Sequence, residues 1–205
     1  MSTPPSYFEN MYRDSSDPWH LTERWYEQRK YDLTLAALPR PRYRRAFEPA
    51  CSVGELTLRL AARCDALLAC DRVRSAAETA ARRTRELPHV EVRHLTVPAQ
   101  WPPGTFDLVV LSELLYYFDS VELATLLRHT VDALEPGGTL VAVHWNHPVP
   151  EHLHTGAELA DILGSVPELT LSCEHREDDF VLQTFGRRQD DGAVPRSPAA
   201  AEGLV

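Results

Sequence analysis

The feature that most constrains this chain is an alternation. From Arg44 to Phe185, short apolar runs take turns with amphipathic stretches of helical spacing. The strongest run is "FDLVVLS" at Phe106–Ser112. A strand that is apolar on both faces predicts a central parallel strand covered by helices above and below. "RRAFEPA", "ALLACD", "VEVRHL" and "TLVAVHW" predict further strands, and "ELTLSCEH" with "DDFVLQTFG" predicts a hairpin-like finish. Between them, "ERWYEQRKYDLTLAAL" reads as a helix stopping at Pro39, and "GELTLRLAARC" as one with Leu56, Leu60 and Cys64 on one face. "SAAETAARRTREL" and "TGAELADILG" are also helical, and "SVELATLLRHTVDAL" reads as a helix capped by Ser120 and closed by "EPGG".

Repeated strand–helix–strand units imply a parallel sheet with right-handed crossovers and helices on both faces. In such a sheet a ligand sits beyond the carboxyl ends of the strands, near the reversal of strand order. The positions to inspect are therefore Ala50–Gly54, Asp71, Leu95–Val97, Ser112–Tyr117 and His144–His147.

With 205 residues, a single domain over 1–186 is expected, its first 40 residues forming an N-terminal helix or lid. The tail 187–205, rich in Pro, Ala, Gly and charge, has little to bury and is expected to be disordered. Net charge is −9, and Asp107–Asp179 holds fourteen Asp or Glu against two Arg. That balance argues against nucleic acid as a partner and favours a cationic or amine-bearing small molecule, or simply a solvated acidic surface. Of the 21 basic residues only Lys30 is lysine, which reads as codon bias rather than mechanism. Cys51, Cys64, Cys70 and Cys173 form no CxxC pair and match no zinc spacing, so buried free thiols in a reducing cytosol are expected. No apolar run is long enough to span a membrane, and "MSTPPSYFEN" does not read as a signal peptide, so a cytoplasmic location is expected.

The first strand ends in "EPACSVG". A dinucleotide fingerprint needs three glycines, and only Gly54 stands here, which argues against a nicotinamide cofactor. S-adenosylmethionine has no phosphate, so its turn tolerates small side chains such as Ala50 and Cys51. A tight turn with no ligand is the plain alternative. Asp71 ends the second strand, where a carboxylate can accept both ribose hydroxyls, or can cap the helix that follows. "SELLYYF" brings Ser112, Glu113 and Tyr116 to the ligand edge together. "HWNHPVPEHLHTG" holds His144, His147, His152 and His154. A zinc site is disfavoured because two prolines break the run and no i, i+4 pair forms. His144, at a strand end opposite Glu113, is the candidate proton acceptor, with a hydrogen-bonded structural histidine as the alternative. The aromatic N-terminal segment can fold over the ligand edge, with Trp19 as part of a lid and Trp25 packed on the flank of the sheet.

Together "EPACSVGELT", Asp71, "FDLVVLSELLYYF", "LEPGGTLVAVHW" and "DPW" resemble a class I S-adenosylmethionine-dependent methyltransferase of the nodulation protein S-like branch, from about Tyr7 to Phe185. The resemblance implies a Rossmann-like α/β fold with a mostly parallel seven-stranded sheet, its last strand antiparallel, helices on both faces and an N-terminal helical lid. By position it implies Glu48, Ala50, Cys51 and Gly54 at the methionine part of the cofactor, Asp71 at the ribose, and Leu95, Thr96 and Val97 at the adenine, with Arg72 also among the cofactor-binding residues. Ser112 and Glu113 would lie near the sulfonium and the acceptor, and Trp19 over the pocket. The chain departs from the family's pattern at Ala50, where glycine is usual, and at Thr96, where an acidic residue is common. Methyl transfer to a small-molecule acceptor follows, with an amine favoured, Glu113 attracting the ammonium form and His144 or Tyr116 taking the proton. The donor is S-adenosyl-L-methionine and the product S-adenosyl-L-homocysteine. No metal, nucleic acid or membrane is implied, and the chain would act as a monomer or a homodimer. O-methylation, a non-catalytic cofactor-binding module and a nicotinamide oxidoreductase are the competing readings.

Overall fold

A computed structural model describes all 205 residues. The elements run α1 (Pro5–Asp14), α2 (Trp25–Ala36), β1 (Ala46–Pro49), α3 (Glu55–Ala61), β2 (Leu67–Asp71), α4 (Arg74–Thr84), β3 (Val90–His94) and β4 (Phe106–Ser112). A 3-10 turn (Leu115–Tyr117) leads to α5 (Ser120–Ala133), β5 (Leu134–Trp145), α6 (Gly156–Gly164), β6 (Leu169–Arg176), β7 (Phe180–Arg187) and α7 (Pro198–Ala201). One seven-stranded sheet has the order β3-β2-β1-β4-β5-β7-β6. β1 pairs in parallel with β2 and β4, β2 with β3, and β4 with β5. β7 runs antiparallel to both β5 and β6, the hairpin expected from the last two apolar runs.

The two-sided apolarity of β4 is used in full. Val109 and Leu111 pack with Leu126 of α5 and Leu159 of α6. Leu108 and Val110 face the other way, against Tyr31 of α2 and Leu56 and Leu60 of α3. All four β4 side chains are fully shielded from water. Each such burial stabilises the fold by about 1.5–3 kcal/mol relative to exposure, which is why this strand can stand at the centre.

Several local expectations need correction. The cap of α5 is Asp119, whose carboxylate accepts from the N–H groups of Val121 and Glu122, and not Ser120. "EPGG" does not close a helix by itself. It lies within β5, where the pairing register with β4 shifts between Phe106 and Leu108 and Gly137 has φ +74°. Trp25 does not pack on the flank of the sheet; it opens α2 and is 74% exposed, while Tyr31, further along the same helix, takes the buried position. Cys173 is exposed on β6, unlike the other three thiols. The segment after Arg187 carries a turn closed by Gln189 N–H donating to Ala193 O, then the short helix α7. No helix is long and apolar enough to cross a membrane.

Gly54 shows how the sheet and its helices are brought together. It precedes α3 with φ +80°, and a Cβ there would lie 2.9 Å from Ala80 Cβ and 3.0 Å from Ala80 Cα on α4. Both the left-handed backbone and the close approach demand glycine. Gly54→Ala is expected to lower stability by about 2–4 kcal/mol, from left-handed strain plus overpacking. Urea denaturation checks this; a loss below about 1 kcal/mol would mean that α3 and α4 separate at little cost.

Candidate functional site

The loops after β1, β2, β3, β4 and β5 and the N-terminal segment enclose one large cavity of about 760 Å³. Its first wall is the β1–α3 turn. Ala50 and Ser52 both take left-handed backbone, with φ +59° and +51°. Ala50 thus holds, at some strain, the conformation for which glycine is the usual residue. Ala50 and Cys51 line the cavity; Gly54 does not. Its expected place beside a ligand is corrected to a packing role against α4, as described above.

Asp71 is 6% exposed and joins two of these loops. Its Oδ2 accepts from Ser52 N–H at 2.9 Å and its Oδ1 from Val73 N–H at 2.8 Å. It is not the cap of α4, which starts behind Val73 without a side-chain cap. Burial raises its pKa and the two backbone N–H groups oppose that rise. Glu48, at 3% exposure, lines the same cavity, and its Oε2 has no hydrogen-bond partner. Burial, reinforced by the charge of Asp71, pushes its carboxyl up to about 8. Neither carboxylate belongs to an ion pair, although Arg24 and Arg72 also line the cavity. Arg24 has no ion-pair partner, and Arg72 lies 5.3 Å from the centre of the Phe8 ring. Leu95, Thr96 and Val97 form the next stretch of wall, the backbone N–H of Thr96 donating to Gln100 Oε1.

The end of β4 is held differently. Ser112 and Glu113 line the cavity, and Glu113 has φ +53°. Its Oε1 accepts from Lys30 Nζ at 2.7 Å, and its Oε2 from Tyr116 Oη at 2.6 Å and Trp145 N–H at 3.0 Å. Burial alone would raise this carboxyl, but the ammonium of Lys30 and the donated hydrogen bonds outweigh it and hold the pKa below the ordinary value. Glu113 is therefore an ionised carboxylate occupied by partners within the protein. Lys30 Nζ also lies 2.9 Å from Glu27 Oε2, and Lys30 is 2% exposed. The lone lysine, set aside as codon bias, is thus a cavity-wall residue. Sequence reasoning missed it, and Glu27 with it; the signal available was its singularity as the one lysine among 21 basic residues.

His144 requires the clearest correction. It is 1% exposed, does not line the cavity, and neither ring nitrogen has a partner. Burial depresses its pKa to about 4. The histidine that does reach the cavity is His152, whose ring stacks on Tyr116 with centroids 3.7 Å apart and planes 17° from parallel. Burial lowers its pKa as well, so it is neutral near pH 7. Tyr116 lines the cavity.

The N-terminal segment borders the same space. Phe8 packs with Val73 and Ala76 of the β2–α4 region, and Trp19 and Tyr12 meet edge to face at 5.6 Å. Thr3 N–H donates to Tyr117 O at 2.9 Å, and Ser2 Oγ donates to Glu122. Trp19 is a lining residue.

With this geometry in place, comparison with known proteins is decisive. The family profile described as Nodulation protein S (NodS) matches residues 9–152. The chain belongs to the nodulation protein S family. Nodulation protein S of Rhizobium tropici is 28% identical over 186 residues, covering 83% of this chain and 76% of that protein. Against two further nodulation S proteins the match spans 61% and 60% of their length. The crystal structure of N-methyltransferase NodS from Bradyrhizobium japonicum WM9, in complex with S-adenosyl-L-homocysteine, superposes with a TM-score of 0.79 at 25% identity, covering 89% of this chain and 97% of that one. A Pseudomonas syringae protein taken to be a methyltransferase is 44% identical, with a TM-score of 0.70 over 80% of this chain and all of that one. Membership makes the chain a methyltransferase whose methyl donor is S-adenosylmethionine.

The raised carboxyl of Glu48 has a consequence for stability. A carboxyl whose folded pKa lies above its unfolded value binds more proton in the folded state. Stability therefore falls as pH rises between about 4.5 and about 8. His144 works in the opposite direction, adding stability with rising pH between about 4 and 6.5. From pH 6.5 to 8 the Glu48 effect stands without that opposition, with a slope of up to about 1.4 kcal/mol per pH unit. Urea melts of ligand-free protein across that window are expected to show the decline, and Glu48→Gln to flatten it. An unchanged slope in the variant would show that Glu48 ionises freely.

Proposed function

We propose that this chain transfers a methyl group from S-adenosylmethionine to the nitrogen of a small amine. The observation that carries the cofactor assignment is the pair Glu48 and Asp71: two buried carboxylates on one cavity wall, neither in an ion pair, one with an unpartnered oxygen. A buried carboxylate without a counter-charge is costly unless something arrives to meet it. The zwitterionic amino-acid end of the cofactor would bring an ammonium beside which the Glu48 carboxyl gives up its proton to solvent, and a carboxylate for the unpaired guanidinium of Arg24. Asp71 has already spent one lone pair of each oxygen on a backbone N–H. Its orientation is therefore fixed, and the remaining lone pairs are free to accept the two ribose hydroxyls. Ala50 and Cys51 border the methionine part, Arg72 the ribose, Leu95, Thr96 and Val97 the adenine, and Ser112 the region of the sulfur. A nodulation S relative is named an N-methyltransferase, which favours nitrogen as the methylated atom.

Bound S-adenosylmethionine supplies an electrophilic methyl group, which passes to the acceptor's lone pair as the carbon–sulfur bond breaks and its electrons return to sulfur. The contribution of the chain is to align the acceptor with that methyl and to keep water out. Residues 1–40, with α1 and Trp19 over the cavity, act as the lid of a single domain that extends to residue 186, on a sheet of mostly parallel, class I type. An amine must shed a proton before it can attack. His152 is the proton acceptor in this reading, because it is neutral near pH 7, lines the cavity and is held flat against Tyr116. His144 is too enclosed to serve.

S-adenosylhomocysteine is expected to raise the melting temperature of the protein, and NAD is not. Asp71→Ala is expected to weaken S-adenosylhomocysteine binding about tenfold or more in calorimetry, the loss of two charge-assisted hydrogen bonds. Incubation with S-adenosylmethionine and a panel of amines and alcohols, read by mass spectrometry, should show methyl gain on amines. Stabilisation by NAD alone would overturn the cofactor reading, and methyl gain on alcohols alone would overturn the choice of nitrogen.

A further inference from the structure

The group that the preceding chemistry leaves unused is the buried cluster of Glu27, Lys30 and Glu113. Two carboxylates share one ammonium, at 2.9 and 2.7 Å. All three residues line the cavity. The cluster sets two carboxyl groups against one ammonium, in a place where Lys30 is 2% and Glu27 7% exposed and where burial raises the Glu27 carboxyl above its ordinary pKa. Such a buried cluster is a poor way to gain stability, since desolvation of the ions offsets most of their attraction. Glu113 is saturated by Lys30, Tyr116 and Trp145. Glu27 is less fully served: its Oε2 is paired with the ammonium at 2.9 Å but off the best hydrogen-bonding direction, and it is cut off from solvent. Beside it, the hydroxyl of Tyr26 is equally shielded and has no partner at all. The rings of Tyr26 and Trp145 meet edge to face at 5.6 Å, and Tyr26, Trp145 and Tyr116 all face the cavity. The Lys30 ammonium already lies 4.9 Å from the centre of the Tyr26 ring, and aromatic rings beside a carboxylate are the chemistry that recognises an organic ammonium.

Resting on the amine reading above, we propose that Glu27, Tyr26 and Trp145 form the subsite that binds the acceptor in its cationic, ammonium form, with Lys30 as a positioning residue. Lys30 neutralises Glu113 and so leaves the surplus negative charge on Glu27. The protein therefore selects cationic acceptors over neutral ones of the same shape before any proton is removed. The methylated product is still an amine and keeps its charge on reprotonation, so the same subsite retains affinity for it and product inhibition follows.

Because Lys30 is the chain's only lysine, protein grown on labelled lysine gives a single side-chain ammonium signal by NMR, located in this cluster. The test uses full-length protein saturated with S-adenosylhomocysteine, titrated with n-butylammonium and with 1-butanol. The ammonium is expected to bind about tenfold or more tightly than the alcohol and to shift the lysine signal, which butanol leaves in place. Glu27→Gln should abolish the preference while leaving S-adenosylhomocysteine affinity within about twofold. If Glu27→Gln does not fold, Tyr26→Phe, which removes only a hydroxyl, is expected to cut ammonium affinity about tenfold. Equal binding of the two probes, absence of ammonium binding, or a preference that survives these substitutions overturns the proposal. Failure to bind S-adenosylhomocysteine would instead overturn the cofactor reading, so the two outcomes are separable.

Discussion

The chain leaves β1 for β2 on one side and returns through β4 on the other, and this reversal of direction is the constraint on which the site depends. Loops that depart in opposite directions cannot pack on each other, so a space opens above β1 and β4. Glu48, Asp71, Glu113, Lys30 and His152 all border that space. The β1–α3 turn, the acid at the end of β2 and the strained corner after β4 are near one another because their strands are neighbours, not because their sequences are close. Asp71 then closes part of the gap by accepting backbone N–H groups from two different loops. Its carboxylate is both a brace and a surface, and this dual use explains how an apparently exposed loop end can be 94% shielded.

The cavity divides by electrostatics into two kinds of wall. At Glu48 and Asp71 burial has stripped carboxylates of water without supplying an ion pair, and both pKa values are raised. At Glu113 an ammonium and two other donors have been supplied, and the pKa is lowered. Residues of the same chemical type therefore differ in readiness. The first pair gains most from an incoming cation or hydroxyl donor, whereas Glu113 is already satisfied and resists exchange. A carboxylate in the Glu113 position is better suited to holding Lys30 and Tyr116 in place than to accepting a proton.

Much of the architecture was legible because it rests on period. β4 alternates its side chains between two apolar clusters, as a strand written "FDLVVLS" does when both its faces are covered. The site was legible where strand ends dictate it: Asp71, Ser112 and Leu95–Val97 follow directly from the lengths of β2, β4 and β3. It was not legible where side-chain direction decides. His144 and Trp145 are adjacent on β5, and a one-residue difference sends one into the interior and the other to the cavity. Spacing alone does not fix that parity. Lys30 was hidden for another reason: its partner Glu113 lies 83 residues away, and only its standing as the sole lysine marked it out.

The cost of the Lys30 cluster also bears on the backbone around it. Glu113 sits in the left-handed region, as do Ala50 and Ser52, and all three lie at the cavity. Strain of this kind persists only where surrounding contacts over-determine the conformation. For Ser52 that contact is Asp71; for Glu113 it is Lys30 together with Tyr116 and Trp145 N–H. The same ion pairs that make the wall electrostatically unusual thus hold its backbone in an unusual shape. An apolar core of equal volume would stabilise helix α2 at least as well. It would not hold Glu113 at positive φ, and the corner of β4 would relax away from the cavity that the fold's topology opened.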